Sequence, residues 1–333
     1  MLLMCSWIDD YLIVGNRADV LTAKKEFADV FECEDDGEMK EYIGCKITRT
    51  DDSMVITQPV LVQSLKDEFE LPGSNPVTPL PAGLVYQKGN QDELITPGQQ
   101  KILRPAVGKL IHMTRWSRPM ELNPVREVSR LVQGATRPQY DGVHRIMQYI
   151  VNTPERGWKL EPGRKWDGKT KNFYFRILGK ADETYASCPD TRKSTTGGSV
   201  FLEGAPIICV SQGQKQVSLS VTDSSLYSVV VVAQYMLYAM HFIEALEMTV
   251  EKPMELYMDN KGCFDLINNW SVAGRTRHVD SRKNFMRELK ENKIIVPKWM
   301  AGENLSADLF TKNLGGPDFR RHGKEYVGHD KYM

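Results

Sequence analysis

The sequence has no excess of charge of either sign and only a few cysteines. Its 333 residues include 43 Lys and Arg and 43 Asp and Glu, so the formal net charge is zero. A global positive field of the kind that attracts nucleic acids is therefore excluded. The six cysteines are scattered, without a C-x-x-C pair or a histidine spacing suited to zinc. We expect free thiols in a reducing compartment and an intracellular location, in the cytoplasm or the nucleus.

The opening residues do not have the pattern expected of a secretory leader, and with one exception the sequence has no long hydrophobic run. The opening MLLMCSWIDD has no basic residue and reaches two aspartates too early for a signal peptide. The exception is residues 224–243, which carry no formal charge and are long enough to span a bilayer. Because this run contains Gln234, His241 and three tyrosines and has no basic flank, we predict a buried helix and no membrane partner. A membrane span is the alternative.

The first fifteen residues have the pattern of strand, tight turn and strand, with Asp9 and Asp10 at the tip. Two adjacent carboxylates at a hairpin tip repel one another unless a cation neutralises them. Both are therefore candidate metal ligands, and a plain Asp-rich turn is the alternative. The elements predicted next are a helix over 17–31, a hairpin that turns at 51–52 and a helix over 58–69.

Residues 71–98 are rich in proline and glycine and predict a linker or an extended surface segment. Three helices are expected to follow, over 99–116, 123–133 and 139–151. The second has the clearest boundaries, with Asn123 as N-cap, Pro124 at the first helical position and Gly134 just past the end.

From residue 171 the pattern changes to short strands. Three strands, a long apolar helix, a strand that ends in Asp259, two helices, a further strand and a short last helix are predicted in this order. This order is typical of a mixed α/β sheet covered by helices.

Three aspartates take related places in that order. Asp182 ends the first strand, Asp259 ends the fourth, and Asp308 lies in the last short helix. If the first three strands form a meander and the long helix crosses back, the first and fourth strands are neighbours and their aspartates converge. Converging carboxylates repel unless they hold a divalent metal, and hard oxygen ligands suit Mg²⁺. Two ions roughly 3.5–4 Å apart would serve in-line attack on a phosphodiester.

A locally basic stretch runs from residue 261 to residue 298, where nine Lys and Arg face only four Asp and Glu. Such a stretch can bind phosphates, and a solvated helix face is the alternative. The candidate nucleic-acid contacts are Lys261, Arg275, Arg277 and Arg282.

Seven segments together resemble one family: IDDYLIVG, EYIGCKI, LRPAVGKLIHMTRWSRP, DTRKSTTGGSVFLEGAPI, LYMDNKG, RTRHVDSR and ADLFTKNL. They look like the second half of a copia-type LTR retrotransposon Pol polyprotein, in the family's order and over nearly the whole chain. The resemblance implies an α/β (α+β) fold in four parts. These are the end of a reverse transcriptase palm (1–70), a linker and helical thumb or connection region (71–160), an RNase H-like five-stranded sheet with flanking helices (171–315) and a C-terminal tail (316–333).

The resemblance also implies functional residues. Asp9 and Asp10 match the family's Tyr-x-Asp-Asp metal-binding turn, and Asp182, Asp259 and Asp308 match three of the four RNase H carboxylates. The implied cofactor is Mg²⁺ or Mn²⁺, and the implied partner is an RNA–DNA hybrid or another nucleic acid. His278, in the family segment RTRHVD, is either structural or functional.

The departures from the family bear on activity. The polymerase needs a further aspartate on an earlier palm strand and the fingers, and neither is in this chain, so polymerase activity is not expected. The fourth RNase H acid is replaced by Ser225, and Asp223 lies about 200° away around the helix, where its expected role is an N-cap. Thr184 replaces a second aspartate of the first motif.

Three hypotheses follow from this sequence. The chain is a metal-dependent nuclease acting on hybrids, a catalytically inactive remnant that keeps some nucleic-acid binding, or the product of a decayed reading frame. Ser225 favours the second and third, and the three aspartates favour the first.

Overall fold

The computed structural model describes residues 2–8, 10–167, 172–269 and 277–328, with the side chains of Trp7 and of residues 277–280 left out. The first element is the hairpin of β1 (Leu2–Trp7) and β2 (Asp10–Gly15), followed by α1 (Arg17–Ala28). The predicted strand–turn–strand is confirmed. Helix α1 is capped by the side chain of Asn16, which accepts from the Asp19 amide, and it has no buried residue.

A four-stranded antiparallel sheet comes next, in the spatial order β3-β4-β5-β6. Its strands are β3 (Glu41–Tyr42), β4 (Cys45–Arg49), β5 (Met54–Thr57) and β6 (Trp158–Leu160). Strands β4 and β5 form the hairpin predicted around residues 51–52. Helix α2 (Pro59–Glu68) follows β5. Because β6 comes from residues about a hundred positions later, the segment that carries the helices in between begins and ends at this sheet.

The three predicted helices are present as α3 (Pro97–Trp116), α4 (Leu122–Ser129) and α5 (Arg137–Asn152). The boundaries predicted for α4 are wrong. A 3₁₀ turn over Pro119–Glu121 runs directly into the helix, so Asn123 is a buried helical residue and not the N-cap.

The proline-rich residues 71–98 are not a surface linker along their whole length. Leu80 and Tyr86 are buried in the same core as α3, α4 and α5. Tyr86 packs onto α5 at Gly142, where a Cβ would lie 2.0 Å from the tyrosine hydroxyl. The segment is extended because of its prolines, and its apolar side chains still enter the core.

The second half of the chain forms a mixed five-stranded sheet flanked by helices, and the predicted α/β fold class is confirmed. Its strands are β8 (Ile177–Thr184), β9 (Thr195–Leu202), β10 (Ala205–Gly213), β12 (Met254–Met258) and β13 (Ile295–Trp299). The spatial order is β10-β9-β8-β12-β13, with β8, β9 and β10 antiparallel and β12 parallel to both β8 and β13. The meander and the return crossing were predicted, and they make the first and fourth strands of this sheet neighbours.

The remaining elements surround this sheet. A small parallel pair is formed by β7 (Tyr174–Phe175) and β11 (Thr249–Val250). The helices are α6 (Val221–Ala245), α7 (Lys261–Asn268), α8 (Arg277–Glu291) and α9 (Gly316–Gly323), and a 3₁₀ turn covers Ser306–Phe310.

Helix α6 is the long apolar run of the sequence, and within the described residues it is the one helix long and apolar enough to cross a membrane by length and composition. Half of its apolar window is buried inside the protein. It lies close to the sheet because β8 and β9 have glycines beneath it: a Cβ at Gly198 would stand 2.3 Å from Val232. This is the packing of a core helix.

Among the residues that the structure describes, these elements form two hydrophobic cores. One lies between α6, α7, α8 and the five-stranded sheet. The other joins α2 to α5 with the opposite side of the sheet, through Phe201 and Phe310, and includes Phe319 and Tyr326. The Tyr326 hydroxyl also lies 2.9 Å from the hydroxyls of Ser199 and Ser306. Residues 316–328, assigned to a tail from the sequence, therefore form a helix and complete this core.

Candidate active site

Strand register brings two of the predicted aspartates together. In the parallel pair of β8 and β12, Tyr257 lies opposite Lys180. Continuing this register by two residues places Asp259, directly after β12, beside Asp182 on β8. Both carboxylates thus stand at the same edge of the sheet, which is where ligands of open α/β sheets bind.

The third aspartate reaches the same edge from the 3₁₀ turn over Ser306–Phe310. This turn packs directly on the sheet at Gly197, the residue opposite Asp182 in β9, where a Cβ would lie 2.9 Å from the Phe310 carbonyl carbon. Asp308 is thereby brought against Asp182. Burial, the charge of Asp308 and a hydrogen bond between the two carboxyl groups hold the pKa of Asp182 well above its usual range.

Asp259 belongs to the same electrostatic group. Burial and then the charge of Asp308 raise the pKa of Asp259. The charge of Asp308 therefore opposes the ionisation of both Asp182 and Asp259, and these three residues are called the carboxylate cluster below. Clusters of this kind are found at functional sites, because keeping them costs stability.

Lys312 is the cation of the carboxylate cluster. Its Nζ lies 2.8 Å from Asp308 Oδ1. Burial alone lowers the pKa of Lys312, but the charges of Asp182, Asp308 and Asp259 outweigh it and raise that pKa. The neighbouring Thr311 hydroxyl donates a hydrogen bond to Asp182. The buried Asp308 Oδ1 accepts no well-directed hydrogen bond and depends on the Lys312 ammonium group for compensation.

The fit of this site to a metal is mixed. Its donors are carboxylate oxygens, which suit Mg²⁺, and their mutual repulsion is the condition that a divalent cation relieves. Among the described residues, however, no group of three or more His, Cys, Asp or Glu is spaced to hold one metal ion. Asp182 and Asp308 are in contact, while Asp259 is within electrostatic reach. The chemistry of the donor atoms therefore fits a metal ion, whereas the spacing of the carboxylates is that of a cluster neutralised by a lysine.

Glu183 is a residue at this edge that the sequence did not single out. It follows Asp182 on β8 and so points to the opposite face, towards α6. There its Oε2 accepts a hydrogen bond of 2.7 Å from the Ser225 hydroxyl. Burial raises the pKa of Glu183 to about 7, opposed by hydrogen bonds from Ser225 and Asn260 and aided by the charge of Asp259. A second acid directly after Asp182 at a strand end was the available signal.

Ser225 and Asp223, at the start of α6, point in different directions, as expected. Ser225 is buried and faces Glu183. Asp223 is not the N-cap, which is Ser220, whose hydroxyl accepts from the Asp223 amide. The Asp223 carboxylate instead pairs with Arg282 at 3.3 Å.

Asp10, one of the two predicted hairpin acids, lies in another part of the protein. Asp9 is outside the described residues. Asp10 is exposed at the start of β2, opposite Trp7, in a two-stranded sheet separate from the five-stranded one. Its predicted role as a metal ligand stays a prediction.

Among the described residues, the basic stretch from residue 261 to residue 298 is exposed only in part. Lys261 is exposed at the first position of α7, directly beyond the Asp259 edge. Arg282 is held by Asp223 and lies 4.6 Å from the centre of the Tyr227 ring. Arg287 is only 9% exposed and donates to the Leu266 carbonyl oxygen, because α8 packs against α7 through this face. Arg275 and the side chains of Arg277 and His278 lie outside what the structure describes.

A cavity of about 790 Å³ opens in the helical region, between Lys88, Leu94 and Arg130. It does not coincide with the carboxylate cluster, which lies at the edge of the five-stranded sheet.

Over nearly its whole length this chain is homologous to retrovirus-related Pol polyproteins from transposons. It is 27% identical to the polyprotein from transposon TNT 1-94 of Nicotiana tabacum over 98% of this chain and 24% of the relative. It is 24% and 22% identical to those from transposons RE1 and RE2 of Arabidopsis thaliana, over 95% and 97% of this chain. The chain spans about a quarter to a fifth of the length of these relatives. No family model matches.

Two solved structures each align with less than half of this chain. The N-terminal RNase H domain of a Mycobacterium tuberculosis protein aligns with 45% of this chain and 96% of its own, at 10% identity and a TM-score of 0.31. The RNase H1 named LC11, isolated from compost, aligns with 41% of this chain and 92% of its own, at 12% identity and a TM-score of 0.31.

Proposed function

We propose that the five-stranded domain of this chain is an RNase H-type hydrolase of a transposon Pol polyprotein, which cleaves the RNA strand of an RNA–DNA hybrid. The observation that supports this most is the register of β8 and β12, which places Asp182 and Asp259 side by side with Asp308 in contact. We expect this chemistry in a reducing, intracellular compartment, cytoplasmic or nuclear, in keeping with the six free cysteines.

In this proposal the carboxylate cluster would hold a divalent cation, Mg²⁺ or Mn²⁺. The charge of the cation would neutralise the carboxylates. When bound, such an ion stabilises the charge that develops on the phosphate during in-line attack. Asp182 and Asp308 would be its first ligands because their carboxyl groups already meet, and Asp259 would approach from the neighbouring strand.

Lys312 and Lys261 have supporting roles in this proposal. The Lys312 side chain is 43% exposed, so its ammonium group is free to turn from Asp308 to a phosphate of the bound strand. Lys261, exposed beyond Asp259, lies where the backbone of a hybrid crossing this edge would pass. In the reaction a water oxygen bonds to phosphorus, the P–O3′ bond breaks and the leaving oxygen takes up a proton. Polymerase activity is not proposed for this chain.

A second candidate is a catalytically inactive protein that retains nucleic-acid binding. It is favoured by Ser225, which cannot act as a charged ligand, and by the absence of a three-ligand group among the described residues. Nucleic-acid binding without cleavage would distinguish it.

A hybrid-cleavage assay on the full chain with Mg²⁺ and with Mn²⁺ tests the proposal. Asp182→Asn should reduce the cleavage rate at least about 100-fold, because it removes a charge at the centre of the cluster. Glu244→Gln is the matched control: it also removes one acid from this domain, but Glu244 pairs with Lys252 at the far end of α6. Absence of cleavage by the unchanged chain, or cleavage that survives Asp182→Asn, would contradict the proposal.

A further inference from the structure

The helix position at which a fourth acid was expected is occupied by a small, buried hydroxyl residue. Ser225 lies in the first turns of α6 and is 2% exposed. Its hydroxyl is not turned back onto its own helix; it donates to Glu183 Oε2 at 2.7 Å. The short side chain thus leaves room at the sheet edge, and the room is filled by a carboxylate from the strand.

The backbone of β8 directs Glu183 into this space. Glu183 lies opposite Thr196 in β9, whose hydroxyl is 2.9 Å from Ser228 on α6, so this register position faces the helix. Asp182, one residue earlier, faces the 3₁₀ turn that carries Asp308. The end of β8 therefore presents one acid on each face of the sheet.

The two faces meet at Asp259. The loop after β12 carries Asp259, followed by Asn260, whose side chain caps α7 by accepting from the Cys263 amide at 2.9 Å. Asp259 and Asn260 both act on the Glu183 carboxyl group, and Asp308 acts on Asp259 from the other side. Glu183 is thus coupled to Asp259 by charge, and Asp259 in turn to Asp308.

We propose that Glu183 is the fourth carboxylate of the candidate site, supplied by strand β8 in place of an acid on helix α6, and that Ser225 positions it. This inference rests on the proposed function, since it concerns the same divalent-cation site.

The proposal has a consequence for the obvious repair of the site. A glutamate at position 225 would meet Glu183, which already lies at hydrogen-bonding distance from the residue there. Two buried carboxylates at that separation cannot both ionise without a large cost. Ser225→Glu alone should therefore not strengthen cation binding. Ser225→Glu combined with Glu183→Ala moves the acid from strand to helix and should keep cation binding.

Calorimetric titration of Mn²⁺ into the full chain tests this without relying on activity. We expect Glu183→Gln, which keeps the shape and the hydrogen bond to Ser225, to weaken Mn²⁺ binding about 10–100-fold. Ser225→Glu should bind no more tightly than the unchanged chain, and the double variant should bind at least as tightly as the unchanged chain. Glu244→Gln again serves as the control.

The outcomes separate this inference from the proposed function. Binding by Glu183→Gln within about twofold of the unchanged chain, while Asp182→Asn loses binding, overturns the role of Glu183 and leaves the proposed function intact. A gain of binding from Ser225→Glu alone also overturns it. Absence of Mn²⁺ binding by the unchanged chain overturns both. If circular dichroism shows that Glu183→Gln is unfolded, Glu183→Asp replaces it: the shorter acid should weaken binding, and unchanged affinity counts against the proposal.

Discussion

Lys312 shows how single residues decide the state of the carboxylate cluster. Its ammonium group pairs with Asp308 and is held charged by Asp182 and Asp259 as well. A cluster of like charges survives in a fold only when something compensates it. In this structure Lys312, four residues after Asp308, supplies the compensating positive charge. The negative charge and the positive charge that balances it therefore come from neighbouring positions in the sequence.

Cys188 gives a prediction at this scale, because its environment differs from that of the buried thiols. Burial raises its pKa, but hydrogen bonds from Thr191 and the Asp190 backbone and the charge of Arg130 outweigh this and lower the pKa overall. Burial raises the pKa of Cys45 to about 11.

Cys188 should therefore be alkylated by iodoacetamide near pH 7 in the native protein, while Cys45 should react only after unfolding. The rate at Cys188 should level off at a lower pH than that of an ordinary thiol, because the thiolate forms at lower pH. Peptide mass spectrometry over a pH series measures both. Arg130→Gln is the control and should slow Cys188; equal rates at Cys188 and Cys45 would show the prediction to be wrong.

At the scale of elements, the close packing of α6 on the sheet depends on two strand glycines. A Cβ at Gly198 would meet Val232 Cγ2 at 2.3 Å and the Lys180 carbonyl oxygen at 3.0 Å. A Cβ at Gly179 would meet Met236 Sδ at 2.4 Å. The helix approaches these strands more closely than side chains would permit, which also carries Ser225 within reach of Glu183.

Gly198→Ala should destabilise the protein by about 1–3 kcal/mol, because an overpacked interface has to shift α6 or the strand. Urea denaturation followed by circular dichroism measures the change. Gly213→Ala on β10 is the matched control, since a Cβ there has nothing within 4 Å. Equal stability of the two variants would mean that the helix moves away without cost.

At the scale of the whole molecule, the helical region and the five-stranded sheet share one core. Phe310 and Tyr326 pack with their rings 5.1 Å apart, in the same cluster as Leu110 and Ile146 of the helices. In contrast, α1 contributes no buried residue. The parts implied by the family resemblance are therefore not equal in stability, and the boundary between residues 160 and 171 is not a boundary between separate cores.

Removing residues 1–40 should change the free energy of unfolding little, because this part has few buried contacts, whereas Tyr326→Ala should cost about 3–5 kcal/mol. Chemical denaturation of the two variants and the unchanged chain measures both. Tyr326→Phe controls for the hydroxyl and should cost about 1 kcal/mol. A large loss from the N-terminal deletion, or none from Tyr326→Ala, would contradict the shared core.

The sequence by itself determined the order of strands and helices, because hydrophobic periodicity is local. It predicted the convergence of Asp182 and Asp259 on the condition that the first three strands form a meander and the long helix crosses back, since connection rules leave only a handful of strand arrangements. The position of α4 was misjudged, because a 3₁₀ turn and a helix have similar local signals.

Only the tertiary structure decided which side chains meet across the sheet edge. The bond from Ser225 to Glu183 joins residues 42 positions apart, and the contact of Asp308 with Asp182 joins residues farther apart still. Arg287 and Tyr326 are buried because of how the helices pack. Burial of Arg287 reduces the basic surface, and burial of Tyr326 makes the apparent tail part of a core. These contacts are set by packing between distant segments, and no local pattern in the chain encodes them.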